Sequence, residues 1–480
     1  MNAPAAKRRL YLINPCNPQV TIVSSEGSRW NRYRVWKPLG LMVVAGLTPA
    51  SWEVVIIDEN LEVPDYTTMP LPDLVGITAF TSQANRAYEL AAEFRARGVA
   101  VVMGGIHATV RVEEAVSRVD AVVTGEAEKV WGRVLADFED GHLERRYAGG
   151  QADMSTVPIA RHDMVPSGYA FGSIQTTRGC PLNCSFCSVT AVNGVHYRQR
   201  SIDDVVNEFK LIQEKRILIV DDNLIGTREA HIERARQLFL ALAAANLHKE
   251  WICQVTINFS DHDDLMALAV KAGCRGVFIG FESSAPDGLA EVGKRFNLQH
   301  NRDMRASVRR IQRHGIMVVG SFIVGLDVDK PGIGMQVSKI ATHYGLDHLN
   351  ALFLTPLPGT RLWEQMAKDG RLDRDEFPRD WQYYTLTLPV AQYRNFSLDE
   401  ISAEMLACNR HFYSWSRILR RFWWNLFERR APLIALIASL TCRYAIPLER
   451  RAYQRFIRSR VSAPPAGRAA HHFRTSGVSN

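Results

Sequence analysis

Three cysteines, Cys180, Cys184 and Cys187, fall within eight residues of one another in Thr177-Arg178-Gly179-Cys180-Pro181-Leu182-Asn183-Cys184-Ser185-Phe186-Cys187. Thiolates at Cx3Cx2C spacing can hold three corners of a [4Fe–4S] cubane, whose usual complement is four. One iron is then left open to a small molecule, so the missing fourth ligand is itself informative. Gly179 and Pro181 keep the stretch an irregular loop in which the thiols can converge. Structural zinc wants four ligands from paired CxxC or Cys/His elements, and no histidine follows until His196. Disulfides fit poorly as well, because the opening residues do not read as a signal peptide and the remaining cysteines are scattered.

The elements that must position this loop are legible around it. Between about residues 166 and 375, apolar runs of strand length recur at 173–176, 217–220, 252–255, 277–280, 317–319 and 348–354, with helical patterns between them, as at 205–212 and 263–272. Six such units are two short of a closed eightfold barrel. They predict a partial (β/α)6 TIM-like barrel with ligands at the C-terminal ends of its strands. The cysteine loop follows the first strand, as that rule requires. The other ends carry Asp221-Asp222-Asn223, Gln254, Glu282-Ser283-Ser284, the run from Gly320 through Ile323 to Gly325, and Thr355-Pro356. Asp, Ser and Asn also favour helix caps and turns. Asp221 and Ser284 read that way, whereas Glu282 reads as a ligand contact.

In residues 1–150, short apolar runs at 10–13, 54–57, 74–77, 100–103 and 121–123 alternate with helical patterns; Ala87, Leu90, Ala91 and Phe94 repeat at helical spacing, closed by Gly98. Continuous apolar strands between helices imply a doubly wound, Rossmann-like parallel sheet. Its strand ends carry Asn14-Pro15, Asp58-Glu59-Asn60, Thr78, Gly104-Gly105-Ile106-His107 and Gly125-Glu126, the glycines allowing close approach to a ligand. No GxGxxG follows the first strand, so this is not a dinucleotide site. A structural or protein-binding role for the sheet stays open.

TTRGCPLNCSFC, with Phe186 just before the third cysteine, resembles the signature of the radical S-adenosylmethionine superfamily. The ordered segments PLGLMVVAG, VVIIDEN, VGITAF, VVMGGIHAT and VVTGEAE resemble the cobalamin-binding domain that precedes many such modules. The resemblance implies that the open iron chelates S-adenosylmethionine and that the reduced cluster cleaves it to methionine and a 5′-deoxyadenosyl radical. It places Asp222 near the methionine amino group, Gln254 near the methionine or sugar, and Glu282 with Ser283 near the ribose. Gly320, Ile323 and Gly325 would pack the adenine. Thr78, Gly104, Gly105, His107, Gly125 and Glu126 would line cobalamin.

One departure concerns cobalt. The Asp-x-His-x-x-Gly loop of cobalamin mutases is here Asn14-Pro15-Cys16-Asn17-Pro18, without a histidine. The implied cobalamin therefore lacks a protein imidazole, unless His107 approaches the metal rather than making a loop hydrogen bond. Cys16 could face the corrin or simply be small and apolar.

The implied activity is cobalamin-dependent radical C-methylation, fed by an electron donor such as flavodoxin or ferredoxin. A non-methylating relative catalysing cyclisation, ring contraction or oxidation stays open. So does a non-catalytic cobalamin sensor, although the cysteine triad and strand-end carboxylates argue against it. A methylthiotransferase would need three more cysteines in residues 1–150, which hold only Cys16.

The chain has 480 residues, 46% hydrophobic and 22% charged, which implies two or three ordinary domains. We divide it into a cobalamin-binding domain (1–150), a linker (151–165), the radical core (166–375), a helical region (376–461) and a disordered tail (462–480). The formal charge of +8 is concentrated from Arg410 onward, where fourteen arginines, Arg410 included, face only Glu428 and Glu449. A nucleic-acid argument from net charge therefore does not apply to the whole protein. Phe422-Trp423-Trp424-Asn425-Leu426-Phe427 beside Arg429-Arg430, then an apolar run at 433–440, reads as an interfacial helix pair, a lid or a dimer contact. The first of these favours a hydrophobic or lipid-like substrate and peripheral contact with the inner face of the membrane. No apolar run reaches the ~20 residues that span a bilayer. A reducing cytoplasm suits the cysteines, and His471-His472 reads as a tail feature rather than a metal site.

Overall fold

The computed structural model describes residues 7–17, 36–165, 168–428 and 432–461; the expected disordered tail, with His471-His472, lies outside them. The first sheet contains β1 (Arg8–Asn14), β2 (Trp52–Asp58), β3 (Leu74–Thr78), β4 (Ala100–Gly104), β5 (Ala121–Gly125) and β6 (Arg146–Gly150), all parallel in the order 2-1-3-4-5-6. The middles of β1, β3, β4 and β5 are continuously apolar because both faces are covered. Leu10 and Leu12 pack with Leu41, Met42 and Trp131, while Tyr11 and Ile13 pack with Ala87, Leu90 and Phe94. The order reverses between β1 and β3, which opens a crevice at the strands' C-terminal ends. The edge strand β6 was not expected; Arg146-Tyr147-Ala148-Gly149-Gly150 buries only Tyr147 and Ala148's neighbour Gly149, too weak a pattern to read.

The second sheet contains β7 (Gly172–Ile174), β10 (Arg216–Ile219), β11 (Glu250–Gln254), β12 (Cys274–Glu282), β13 (Met317–Val324) and β14 (His348–Phe353), parallel and in chain order. Two short antiparallel strands, β8 (Thr177–Arg178) and β9 (Arg198–Gln199), follow β7 and bracket the cysteines. β7 and β14 are each paired on one side only, so the barrel stays open. The α/β class, with a doubly wound sheet, a partial barrel and a helical C-terminal region, is as expected.

Three helices, Leu398–Phe412, Trp415–Phe427 and Pro432–Val461, pack on one another beside β14. Ser397 and Glu400 start the first with reciprocal capping bonds. Arg421 lies 4.1 Å from the Phe412 ring centroid and Arg443 4.7 Å from that of Trp415, each folding a cation back over the bundle. Among the described residues no helix is long and apolar enough to cross a membrane. An unexpected strap at 376–384 returns to the first sheet, where Trp381 Nε1 donates to Glu114 at 2.9 Å and Asn17 Nδ2 donates to the Gln382 carbonyl at 3.1 Å.

Candidate active site

The cysteine loop is held from every side. Gly179, with φ of 89°, turns the chain out of β8, and a Cβ there would collide with the His196 carbonyl. The Gly179 N–H donates to Asp222 Oδ2 at 2.8 Å, and Cys180 N–H donates to the Gly194 carbonyl at 3.2 Å. Ser185 N–H reaches the Val292 carbonyl at 3.0 Å, and Arg361 forks onto Asn183 at 2.6 Å through each Nη. All three thiols are free and each lies within electrostatic reach of another. Burial pushes them up, Cys184 to about 12, while the Lys294 ammonium opposes that rise at Cys184 and Cys180.

These observations fit a cluster. Thiolates must lose their protons to bind iron, and a buried cation is the group that makes such a charge tolerable. Among the described residues no three His, Cys, Asp or Glu side chains converge as on a single metal ion. Cubane corners place each thiolate on a different iron, whereas a zinc site would gather them on one.

The strand-end residues fare differently. Asp222 Oδ2 also accepts from Asn193 Nδ2 at 3.0 Å, so its carboxylate braces the cluster loop. Burial raises its pKa. Asp221 is fully buried and accepts from Thr176 N–H, Thr176 Oγ1 and Thr177 Oγ1 at 2.5–2.9 Å, which makes it the structural clasp of the β7–β8 join. Gln254 is exposed at the end of β11. Glu282, at φ of 60°, accepts through Oε1 from Lys294 Nζ at 2.6 Å rather than standing free. Ser283 Oγ accepts from Ala285 N–H at 3.1 Å in a local turn.

The expectation for Gly320 needs correction. It shares a strand face with buried Val318 and Phe322, and a Cβ there would strike Leu346 and Phe281 on the helix side. Strand side chains alternate with period two, so Ile323, not Gly320, shares the face of Ser321. Gly325 gives its N–H to Asp329 Oδ2 at 2.9 Å and lies beneath the Tyr393 ring. Asn223 Oδ1 is buried without a partner, an acceptor available to a bound ligand.

At the switch point of the first sheet lies an open cleft. Its floor is apolar (Leu12, Leu41, Val44, Val102, Val123 and Trp131), and a Cβ at Gly40 would meet nothing within 4 Å. Thr78, Gly104, Gly105, Gly125 and Glu126 line it, an apolar cleft with a few polar groups at its rim being the usual form of a ligand site. Its far wall comes from the segment that brackets the cysteines: Gln175, Arg178 and Asn193. Glu126 accepts from Arg178 Nη1 at 2.8 Å, from Arg198 through both Nη atoms, and from Ala152 N–H at 2.8 Å. Burial would raise its pKa, but the two guanidiniums hold it below the ordinary value.

His107 does not line this cleft. Its ring is fully buried, with Nε2 2.9 Å from Tyr88 Oη and 3.3 Å from Glu114 Oε1, and Trp381 packs against it edge-on. Burial lowers its pKa, against the opposing pull of Glu114. The hydrogen-bonding reading of this residue is the one its geometry favours. Cys16 is also buried, its N–H donating to Glu59 Oε2 at 3.1 Å.

Lys294, Arg178, Arg198, Asn193 and Gln175 were not anticipated. Arg178 adjoins the first cysteine turn and was open to notice; Lys294 sits in a segment with no periodicity.

Comparison with known proteins follows the same division. The radical SAM superfamily model matches residues 174–331 and the B12 binding domain model residues 30–135. An uncharacterized methyltransferase of Pyrococcus horikoshii is 29% identical, over 83% of this chain and 91% of its own. The bacteriochlorophyllide d C-12(1)-methyltransferase of Chlorobaculum tepidum is 27% identical, over 87% and 90%. The hopanoid C-2 methylase of Rhodopseudomonas palustris is 25% identical, over 71% and 66%. Among solved structures, the radical S-adenosylmethionine methyltransferase TsrM of Kitasatospora setae, with cobalamin and a [4Fe–4S] cluster bound, superposes with a TM-score of 0.63 at 16% identity, covering 84% of this chain and 91% of that one.

Proposed function

We propose that this chain, which belongs to the radical S-adenosylmethionine enzymes with an N-terminal B12-binding domain, is a C-methyltransferase acting on a hydrophobic, lipid-like substrate. Its cofactors are a [4Fe–4S] cluster, S-adenosylmethionine and cobalamin. The observation that carries the reading is a shared wall. Arg178 and Asn193 line the cobalamin cleft, and Asn193 bonds the same Asp222 that fixes Gly179 beside Cys180. A single carbon can thus be served from both sites. When bound, the cluster and S-adenosylmethionine supply a hydrogen-abstracting radical, and cobalamin supplies a methyl group.

The chain's own residues position and enclose. Cys180, Cys184 and Cys187 hold the cluster. Asp222, whose Oδ2 is taken by Gly179 and Asn193, would offer its other oxygen to the methionine ammonium, and Glu282, whose Oε1 is held by Lys294, would offer its other oxygen to the ribose. Gln254, Ser283, Ile323 and Gly325 complete that end. The apolar cleft floor would exclude water, and Thr78, Gly104, Gly105, Gly125 and Glu126 at its rim would hold cobalamin. A flavodoxin- or ferredoxin-class protein supplies the electron.

Substrate class is supported by the C-terminal helices. Trp415, Leu419, Trp423 and Phe427 make one exposed stripe, and Leu433, Ile437, Tyr444 and Leu448 another on the adjoining helix, with arginines alongside. An apolar stripe of this kind suits an anionic bilayer surface that holds a hydrophobic substrate.

The reconstituted enzyme, given S-adenosylmethionine with a deuterated methyl group and a lipid extract, should yield products gaining one labelled methyl. A product without label, alongside 5′-deoxyadenosine, would instead establish non-methylating chemistry. Sedimentation with anionic liposomes should weaken from 0.1 M to 1 M salt, as the Debye length falls from about 10 Å to about 3 Å. Replacing Trp423 and Trp424 by Ala should lower what survives high salt. No binding at any salt would remove the membrane element.

A further inference from the structure

Lys294 is a buried ammonium that no catalytic step above requires. Its Nζ lies 2.6 Å from Glu282 Oε1, and the two side chains are only 9% and 8% exposed. Gly280 makes the space: a Cβ there would collide with both Glu282 Oε1 and Lys294 Nζ. A register shift in β12 between Gly280 and Glu282 turns the carboxylate toward the lysine. Asn297 Nδ2 then ties the segment to the Gly280 carbonyl at 3.0 Å.

The pair stands directly behind the cysteine loop. Val292 accepts from Ser185 N–H at 3.0 Å, and a Cβ at Gly293 would lie 3.9 Å from Cys184 Cα. The Lys294 charge is felt at both Cys184 and Cys180, and at Cys184 more strongly than that of Glu282. Buried ion pairs are weak stabilisers compared with apolar packing, so stability alone is a poor reason for one here.

We propose that Lys294 and Glu282 set the reduction potential of the cluster, Lys294 raising it and Glu282 moderating that effect. Reduction adds one electron, and so one negative charge, from a low-potential one-electron donor; no bond forms or breaks. In a buried site a nearby cation favours the added charge and a nearby anion opposes it. The inference rests on the cysteines holding the cluster and is independent of methyl transfer or of the substrate.

The test is a redox titration of the full chain reconstituted with iron and sulfide, without S-adenosylmethionine or substrate. Dithionite and mediators set the potential, and the electron paramagnetic resonance signal of the reduced cluster is the readout. Lys294→Met should shift the reduction equilibrium at least tenfold toward the oxidised cluster, about 59 mV for one electron. Glu282→Gln should shift it toward the reduced cluster, and the double variant should lie between the two. Shifts of the same sign, or no shift in either variant, would overturn the proposal. Should Lys294→Met fail to load a cluster, Glu282→Gln and the double variant still decide by the sign of their difference.

Discussion

Replacing Glu126 by Gln tests how the two halves of the molecule are joined. Glu126 comes from the loop after β5, and its partners Arg178 and Arg198 come from the two short strands that bracket the cysteines. The Glu126 side chain is 6% exposed and the arginines 11% and 16%, so the charges are largely out of water. Breaking such a pair from one side costs about 3–5 kcal/mol, because it strands the remaining charge. Arg178 keeps Glu128 at 2.6 Å, whereas Arg198 keeps, among the described residues, the Ala152 and Asn193 carbonyls at 2.7 and 3.2 Å. The cost should therefore lie near the lower end, about 3 kcal/mol, or roughly a hundredfold in the folding equilibrium. Urea denaturation of the apo-protein, followed by tryptophan fluorescence, measures it. Arg198→Met removes the stranded cation, so the double variant should be less destabilised than the sum of the singles. Acid should act in the same direction: the depressed Glu126 pKa contributes stability above the ordinary glutamate range, which is lost as pH falls below it. A change under 0.5 kcal/mol, or strict additivity with Arg198→Met, would refute the idea of a buried clamp.

Replacing Cys180, Cys184 or Cys187 with Ala should abolish the cluster's charge-transfer absorption and 5′-deoxyadenosine formation, while Ala at Cys253, Cys274, Cys408 or Cys442 should leave the absorption in place. The Co(II) paramagnetic spectrum of bound cobalamin should lack nitrogen superhyperfine splitting. His107→Ala should leave that spectrum unchanged yet lower stability by about 1–3 kcal/mol, through the bonds lost to Tyr88 and Glu114. Burial and the nearby Arg421 depress the His348 pKa to about 4, so the unfolded chain takes up a proton that the folded one refuses. Stability should be complete above the ordinary histidine value and fall by up to about 3 kcal/mol as pH drops toward 4, a loss that His348→Asn should remove.

Much of this molecule is local enough to be read from residue order. The cysteine spacing specifies a three-thiolate loop, because ligand count is a property of a short segment. The parallel sheets are legible because strands covered on both faces must be apolar through their middles, as at Leu10–Ile13 in β1 and Ile217–Ile219 in β10. The row of strand-end residues around Thr78, Gly104 and Gly125 follows from the same rule, since a parallel sheet presents its ligand at one edge.

What only the tertiary structure decided are the partners of charged groups and the directions of single side chains. His107 looked like a residue facing the cleft, yet its ring turns into the core because a strap from 376–384 brings Trp381 over it. Gly320 belongs to a glycine-bearing run, but strand alternation sets it toward the helices. Glu282 is bound to Lys294, and Glu126 to arginines some fifty and seventy residues away, pairings that carry no periodic signature in the chain. Burial makes an unpaired charge costly, so each such group takes whichever partner the fold delivers, and the identity of that partner is fixed by three-dimensional proximity alone.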